Sequence, residues 1–104
     1  MNRILTLAAA SILAISVSPA FAQTSGAAIY ASKCQMCHGA DGQPTMAGKS
    51  MRAIPFNSPE LKKAPTASLI ASVTNGKGNM PAYGGKLSAA QIKAAVMYIR
   101  TLQK

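Results

Sequence analysis

The segment Cys34-Gln35-Met36-Cys37-His38 carries the clearest chemistry in this 104-residue chain. Two thiols stand three positions apart, and an imidazole follows the second one directly, which is the attachment pattern of a c-type haem. Thiols at this spacing can reach the two vinyl groups of one porphyrin and form thioethers. The next residue then stands beneath the iron, where His38, the one histidine of the chain, supplies an axial nitrogen. The segment therefore predicts one covalently bound haem c, joined through Cys34 and Cys37.

Other uses of the same segment are less consistent with the rest of the chain. A redox-active dithiol needs a thioredoxin-like βαβ frame, whereas the patterns here are helical. A zinc site needs a second pair of ligands, and the sequence has no further Cys or His. A structural disulfide would leave His38 without a role. A copper site made of cysteine, histidine and methionine stays chemically open, because soft sulfur ligands suit copper.

The start of the chain has the three parts of a secretory signal peptide. Met1-Asn2-Arg3 is basic, the stretch Ile4–Val17 is mostly apolar, and Ala20-Phe21-Ala22 matches an A-x-A cleavage site. The apolar stretch is shorter than the roughly 20 residues of a membrane-spanning helix. We expect residues 1–22 to direct export to the periplasm and to be cleaved after Ala22, which leaves one domain at residues 23–104.

The chain is strongly basic, with 11 Lys and Arg residues against two acids, Asp41 and Glu60. A cationic protein is steered towards anionic docking surfaces. The charge alone does not indicate nucleic acid binding, because no aromatic platform or recognised motif accompanies it. Two cysteines also exclude a scaffold of several disulfides, so a domain of this size needs a different stabiliser, such as a large cofactor.

Helices are predicted at both ends of the domain. Residues 25–33 contain helix formers with an apolar pair at their centre. The closing helix, Ser88–Leu102, is predicted more strongly. Ser88 and Gln91 form a capping box, and apolar residues recur at helical spacing from Ile92 onwards.

Two further helices are predicted between these ends. Thr66 is the predicted cap of the longer one, which Asn75-Gly76 should end because both residues tolerate left-handed backbone. A short helical turn is predicted at Ser58–Lys63, with Pro59 at a first helical position. The Gly- and Pro-rich segments 39–57 and 76–86 are predicted to be loops.

From residue 23 to 104 the chain resembles the small class I c-type cytochromes. The resemblance rests on residues 34–39, on Asn79-Met80-Pro81 and on the closing helix. It implies an all-α, cytochrome c-like fold of three to four short helices wrapped around one covalently attached haem. In the family a methionine from a distal loop is the sixth iron ligand, and the 42 positions from His38 to Met80 fit that arrangement.

The resemblance also extends to the first helix. The spacing from Gly26 to Tyr30 is similar to that of the family, in which the first helix crosses the last one at a glycine. Tyr98 would be the aromatic partner at that crossing. We expect ordinary core packing to be the whole role of both tyrosines.

The sixth ligand has to be chosen among five methionines that follow the cleavage site. Met80 is favoured, since Pro81 lacks an amide hydrogen and biases the residue before it to extended backbone. Met36 lies between the cysteines, on the wrong side of the ring, and Met97 lies in the closing helix, where packing is the expected use. Spacing alone leaves two others open as ligands: Met46 and Met51.

The surroundings of these ligands give weaker expectations. A ligating histidine usually donates its other N–H to a carbonyl or carboxylate. In the family a proline carbonyl accepts it, and Pro44 is the nearest candidate. Asn79 and Tyr83 are candidates for tuning the methionine loop or lining the haem edge, or else are turn and surface residues. The cations that bracket this loop are candidates for a docking face: Lys77 and Lys86.

Ligation by His38 and Met80 would leave no open coordination position on the iron. The expected function is therefore that of a soluble, monomeric electron carrier and not of an enzyme. Its expected partners are redox proteins with acidic docking surfaces, among them membrane-bound oxidases, reductases or reaction centres. The alternative is a five-coordinate haem protein that binds a small gas or has peroxidase activity, which requires that Met80 does not ligate.

Overall fold

The computed structural model describes residues 25–104, so the predicted signal peptide at residues 1–22 lies outside the described residues. Within the described part, six helices follow one another: α1 Gly26–Lys33, α2 Gln35–His38, α3 Met46–Ser50, α4 Pro59–Lys63, α5 Thr66–Asn75 and α6 Ala89–Thr101. These residues form no strand. The predicted all-α class is confirmed, and the helix count exceeds three to four because α2 and α3 are short, separate turns. No helix formed by residues 25–104 has the length and apolar character needed to cross a bilayer.

The first and last helices begin where local capping chemistry places them. The Ser25 side chain accepts a hydrogen bond from the amide of Ala28 at the start of α1. At the start of α6, the Ser88 side chain accepts from the Gln91 amide, and the Gln91 side chain accepts from the Ser88 amide. The predicted capping box is therefore confirmed, and it satisfies two backbone donors that the helix itself leaves unpaired.

The predicted cap of α5 is wrong by one residue. Pro65 is the N-cap, Thr66 is the first helical residue, and no side chain caps this end. The Thr66 hydroxyl instead accepts hydrogen bonds from the Arg100 guanidinium, an interaction with a distant helix that sequence spacing does not reveal. The predicted end is correct, since α5 stops at Asn75 and Gly76 has a φ of 80°.

The segment 39–57 was expected to be loop throughout, and α3 corrects this expectation. The Thr45 side chain caps α3 by accepting from the Gly48 amide at 3.2 Å. The amides of Arg52 and Ala53 close its other end on the carbonyls of Lys49 and Gly48, as in a Schellman motif. Arg52 takes the left-handed position, with a φ of 65°, where glycine is the usual residue.

Helices α1 and α6 cross in direct backbone contact at Gly26. A Cβ atom built on Gly26 would lie 2.2 Å from the carbonyl oxygen of Ala94, so only glycine fits this crossing. Beside it, the rings of Tyr30 and Tyr98 meet at 5.2 Å between centroids. The expected crossing and its aromatic pair are both present. Packing is not the whole role of Tyr30, however, because its hydroxyl also donates to the Gly39 carbonyl.

Two clusters of buried side chains form the core. One contains Tyr30, Cys34, Phe56 and Ile99. The other contains Val73, Ile92 and Val96, with Met80 and Tyr83 packed against it. Helix α6 contributes to both clusters, with Ile99 in the first and Ile92 and Val96 in the second, and its buried face thereby joins them.

Arg100 of α6 fastens the segment that connects α4 to α5. Its Nη1 donates to the Leu61 carbonyl at 3.1 Å, and its Nη2 donates to the Ala64 carbonyl. The Thr66 hydroxyl accepts from Nη2 at 3.2 Å. One half-buried guanidinium therefore binds oxygens of α4, of the connection that follows it and of the first residue of α5.

Candidate functional site

A cleft of about 800 Å³ opens beside both core clusters, and it contains the predicted site residues. Its wall includes Cys34, which joins α1 to α2, Cys37 and His38 of α2, and Met80 from the loop between α5 and α6. The volume is typical of a pocket that encloses a small organic ligand. Four residues that the sequence analysis selected for one cofactor are thus brought together in one place.

The two cysteines lie on a rigid turn. Helix α1 ends at Lys33, and the amide of His38 donates to the Cys34 carbonyl at 2.9 Å, which begins α2. Behind this turn, the amide of Thr45 donates to the Cys37 carbonyl at 3.0 Å. A Cβ atom on Gly48 would lie 2.0 Å from the same carbonyl oxygen, so α3 packs against α2 backbone to backbone.

The burial of Cys34 argues against a redox-active dithiol. Both cysteines are free, and Cys34 is buried. Burial raises the pKa of the Cys34 thiol to about 11, whereas nucleophilic dithiols have a lowered pKa. The described residues also lack the strands of a βαβ frame. Within residues 25–104, no three His, Cys, Asp or Glu side chains are grouped closely enough to hold a metal ion.

The imidazole of His38 is held by packing. Its ring stacks on Phe56, with the centroids 4.6 Å apart and the planes 22° from parallel. Burial lowers the pKa of His38, which favours the neutral form that binds metals. The buried Nδ1 atom has no hydrogen-bond partner, so the Pro44 carbonyl does not fill the place suggested for it. Phe56 is the contact that sequence analysis missed, and its only signal was its rarity as one of five aromatic residues in the chain.

Met80 is presented to the cleft by a tight turn. Its amide donates to the Lys77 carbonyl at 2.9 Å, and the Lys77 amide donates back to the Met80 carbonyl at 3.1 Å. The side chain is half-buried and packs against the cluster that contains Val73. The segment 76–86 is free of helix, as predicted.

Most of the other methionines lie outside the cleft. Met36 and Met46 are 79% and 86% exposed, Met97 is 49% exposed, and none of the three lines the cleft. Met51 does line it, although it is more exposed than Met80. Among residues 25–104, Met51 and Met80 are the methionines that line the cleft.

The cleft fits a covalently attached porphyrin. Two free thiols and a neutral imidazole share one wall, and most of the remaining wall is apolar, with Leu69 and Val73 among its members. The Nδ1 atom of half-buried His38 is itself buried and has no hydrogen-bond partner, so no described group holds the imidazole through this nitrogen. Three cations also reach the cleft, against one acid, Glu60: Lys33, Arg52 and Lys77.

Known proteins similar to this chain are cytochromes or cytochrome oxidase subunits. A family model described as cytochrome C oxidase, cbb3-type, subunit III matches residues 21–99. Cytochrome c6 of a Synechococcus species is 32% identical over 104 residues, which cover 95% of this chain and 91% of the relative. The cbb3-type cytochrome c oxidase subunit FixP of Azorhizobium caulinodans is 36% identical over 78 residues, or 74% of this chain and 26% of FixP. The solved structure of KustC0563 c-type cytochrome aligns with a TM-score of 0.73 at 30% identity, covering 77% of this chain and 99% of that one.

Proposed function

The chain belongs to the c-type cytochrome family, whose members bind haem c covalently, and we propose that it is a soluble electron carrier with one haem held in the described cleft. In this proposal Cys34 and Cys37 form the two thioether bonds. His38 and Met80 are the axial ligands of the iron. The observation that supports the assignment is that all four residues line one cleft although Met80 lies on a separate element.

When bound, the haem supplies a one-electron couple between ferrous and ferric iron. The chain's own residues set the conditions for that couple. The Met80 thioether raises the reduction potential relative to stronger donors, and His38 is kept in place by its stack on Phe56. Ligation from both sides leaves no position for a substrate, which favours electron transfer over the alternative of gas binding or peroxidase activity.

The charge of the domain supports an acidic partner. Residues 23–104 hold ten Lys and Arg residues against two acids. Lys33, Arg52 and Lys77 are exposed and line the cleft, where electrons would enter and leave. We therefore propose docking to acidic surfaces of redox proteins such as oxidases, reductases or reaction centres. The rate of electron transfer to such a partner should fall as salt concentration rises, because screening weakens steering.

Residues 1–22 are proposed to be a signal peptide that exports the chain to the periplasm. Their basic start, apolar stretch and A-x-A site support this assignment. Mass spectrometry of the protein from the periplasmic fraction should find Gln23 as the first residue of an 82-residue chain. An intact chain in the membrane fraction would contradict the proposal.

The attachment is tested by extracting the purified protein with acidified acetone. Haem that stays with the polypeptide supports thioether bonds to Cys34 and Cys37, and haem that enters the solvent overturns them. Replacing either cysteine with serine should leave haem attached by one bond or prevent its incorporation.

The axial ligand is tested by optical spectroscopy of the ferric protein. We expect the long-wavelength charge-transfer band of a sulfur-ligated haem, and we expect Met80→Ala to abolish it. Met51→Ala tests the other cleft methionine, and Met97→Ala is a control outside the cleft. Retention of the band in Met80→Ala, or its loss in Met51→Ala alone, would refute Met80 ligation. Rapid binding of carbon monoxide to the ferrous wild-type protein would favour the five-coordinate alternative.

A further inference from the structure

The loop that carries Met80 is fastened firmly at its C-terminal end. The amide of Tyr83 donates to the Val73 carbonyl at 2.9 Å, and the amide of Gly84 donates to the Thr74 carbonyl at 3.0 Å. These bonds tie the loop back to α5, the helix from which it departs. They fix the base of the loop, but they do not connect it to the wall that holds the cysteines.

That connection is made by the side chain of Tyr83. Its hydroxyl donates to the Lys33 carbonyl at 3.1 Å, across 50 positions of sequence. Lys33 is the last residue of α1 and directly precedes Cys34. The last carbonyls of a helix have no partner within the helix, so the hydroxyl meets an acceptor that would otherwise bind water.

A second side chain holds the other flank of the loop. Asn79 donates from Nδ2 to the Met51 carbonyl at 3.3 Å, at the C-terminal end of α3. Met80 therefore lies between two residues whose side chains reach separate elements of the cleft wall. The Tyr83 bond is the one that leads to the cysteine segment.

We propose that Tyr83 is a positioning residue whose hydroxyl holds the Met80 thioether against the iron by latching its loop to the Lys33 carbonyl. This inference rests on the proposed ligation by Met80. The aromatic ring and the hydroxyl have separable roles. The ring packs against the cluster around Val73, and the hydroxyl alone spans to α1.

Because the roles are separable, Tyr83→Phe removes the latch and keeps the packing. A single neutral hydrogen bond, exposed as this one is, makes a modest net contribution, equivalent to about a fivefold change in an equilibrium constant. The equilibrium in question is the displacement of the thioether from ferric iron. When the Tyr83 hydroxyl is lost, we expect the Met80 thioether to be displaced from the iron about fivefold more readily.

The experiment titrates the ferric, haem-loaded protein with imidazole, which competes with the thioether for the iron. Loss of the sulfur charge-transfer band measures displacement. Tyr83→Phe should require about one fifth of the imidazole that the wild-type protein requires. Tyr98→Phe is the matched control, since it removes a tyrosine hydroxyl at the α1–α6 crossing and outside the cleft, and its titration should match wild type.

Three outcomes separate the latch from the ligation on which it rests. A wild-type protein without the charge-transfer band refutes Met80 ligation and the latch with it. A wild-type protein with the band, but with equal titrations for Tyr83→Phe and wild type, refutes the latch alone. Equal shifts in Tyr83→Phe and Tyr98→Phe also refute it, because they would report a general loosening of the fold.

Discussion

Replacing Gly26 with alanine tests the most demanding contact in the fold. A Cβ atom at this position would lie 2.2 Å from the Ala94 carbonyl oxygen and 2.8 Å from its carbonyl carbon. The obstacle is the backbone of α6, which cannot rotate away as a side chain can. Helices α1 and α6 would have to separate by about 1 Å to restore an ordinary contact.

The cost of this separation follows from what the two helices bury together. Tyr30, Ile99 and the Tyr98 ring pack in the cluster beside the crossing, and a shift of this size weakens their dispersion contacts. Overpacking of a close-packed site costs about 1–3 kcal/mol. Alanine regains little helix propensity here, since Gly26 is the first residue of α1. We expect a net loss of about 2 kcal/mol in the free energy of unfolding.

The assay is guanidinium unfolding of the haem-loaded protein, followed by far-ultraviolet circular dichroism. In a domain of this size, a loss of about 2 kcal/mol also lowers the melting temperature by roughly 10 °C. Gly85→Ala is the control, because nothing lies within 4 Å of the Cβ atom it would add. If Gly26→Ala were as stable as Gly85→Ala, the close crossing of α1 and α6 would be wrong.

Two further changes test how α6 is held. Ser88→Ala removes one half of the capping box and should lower the free energy of unfolding by about 1 kcal/mol. The same guanidinium denaturation measures this loss, and an unchanged midpoint would contradict the role of Ser88 as a cap. Arg100→Met keeps the apolar stem but leaves the Leu61 and Ala64 carbonyls without their charged donor, and should cost about 2–3 kcal/mol. Lys93→Met, at an exposed position of the same helix, should be close to neutral, and equal effects of these two substitutions would contradict the role of Arg100.

The parts of the fold that sequence predicted correctly are those encoded locally. The capping box of α6 and the stop at Gly76 depend on residues within one turn of each other. Helix α3 was missed because Gly48 lowers helix propensity, and the reason for glycine there is the Cys37 carbonyl on a different helix. Thr66 was assigned as a cap for a similar reason, since its actual partner, Arg100, is 34 positions away.

The site residues also differ in whether a local sequence pattern could predict them. The two cysteines and His38 are adjacent in sequence, so their motif could be recognised without any structure. Sequence spacing could not distinguish Met46 from Met80, whereas the structure places Met46 outside the cleft with its side chain 86% exposed. The stack of Phe56 on His38 and the bond from Tyr83 to Lys33 depend on how distant segments meet, and residue types alone do not determine either contact.

The contact between the first and last described helices has a consequence for how such a unit is used in larger proteins. Because Gly26 and Ala94 meet, the chain between these two residues closes on itself at one crossing. A unit closed in this way can be joined to other polypeptides at either terminus while its interior stays intact. In FixP, the segment that matches this chain makes up only 26% of the protein, so the match lies within a longer chain.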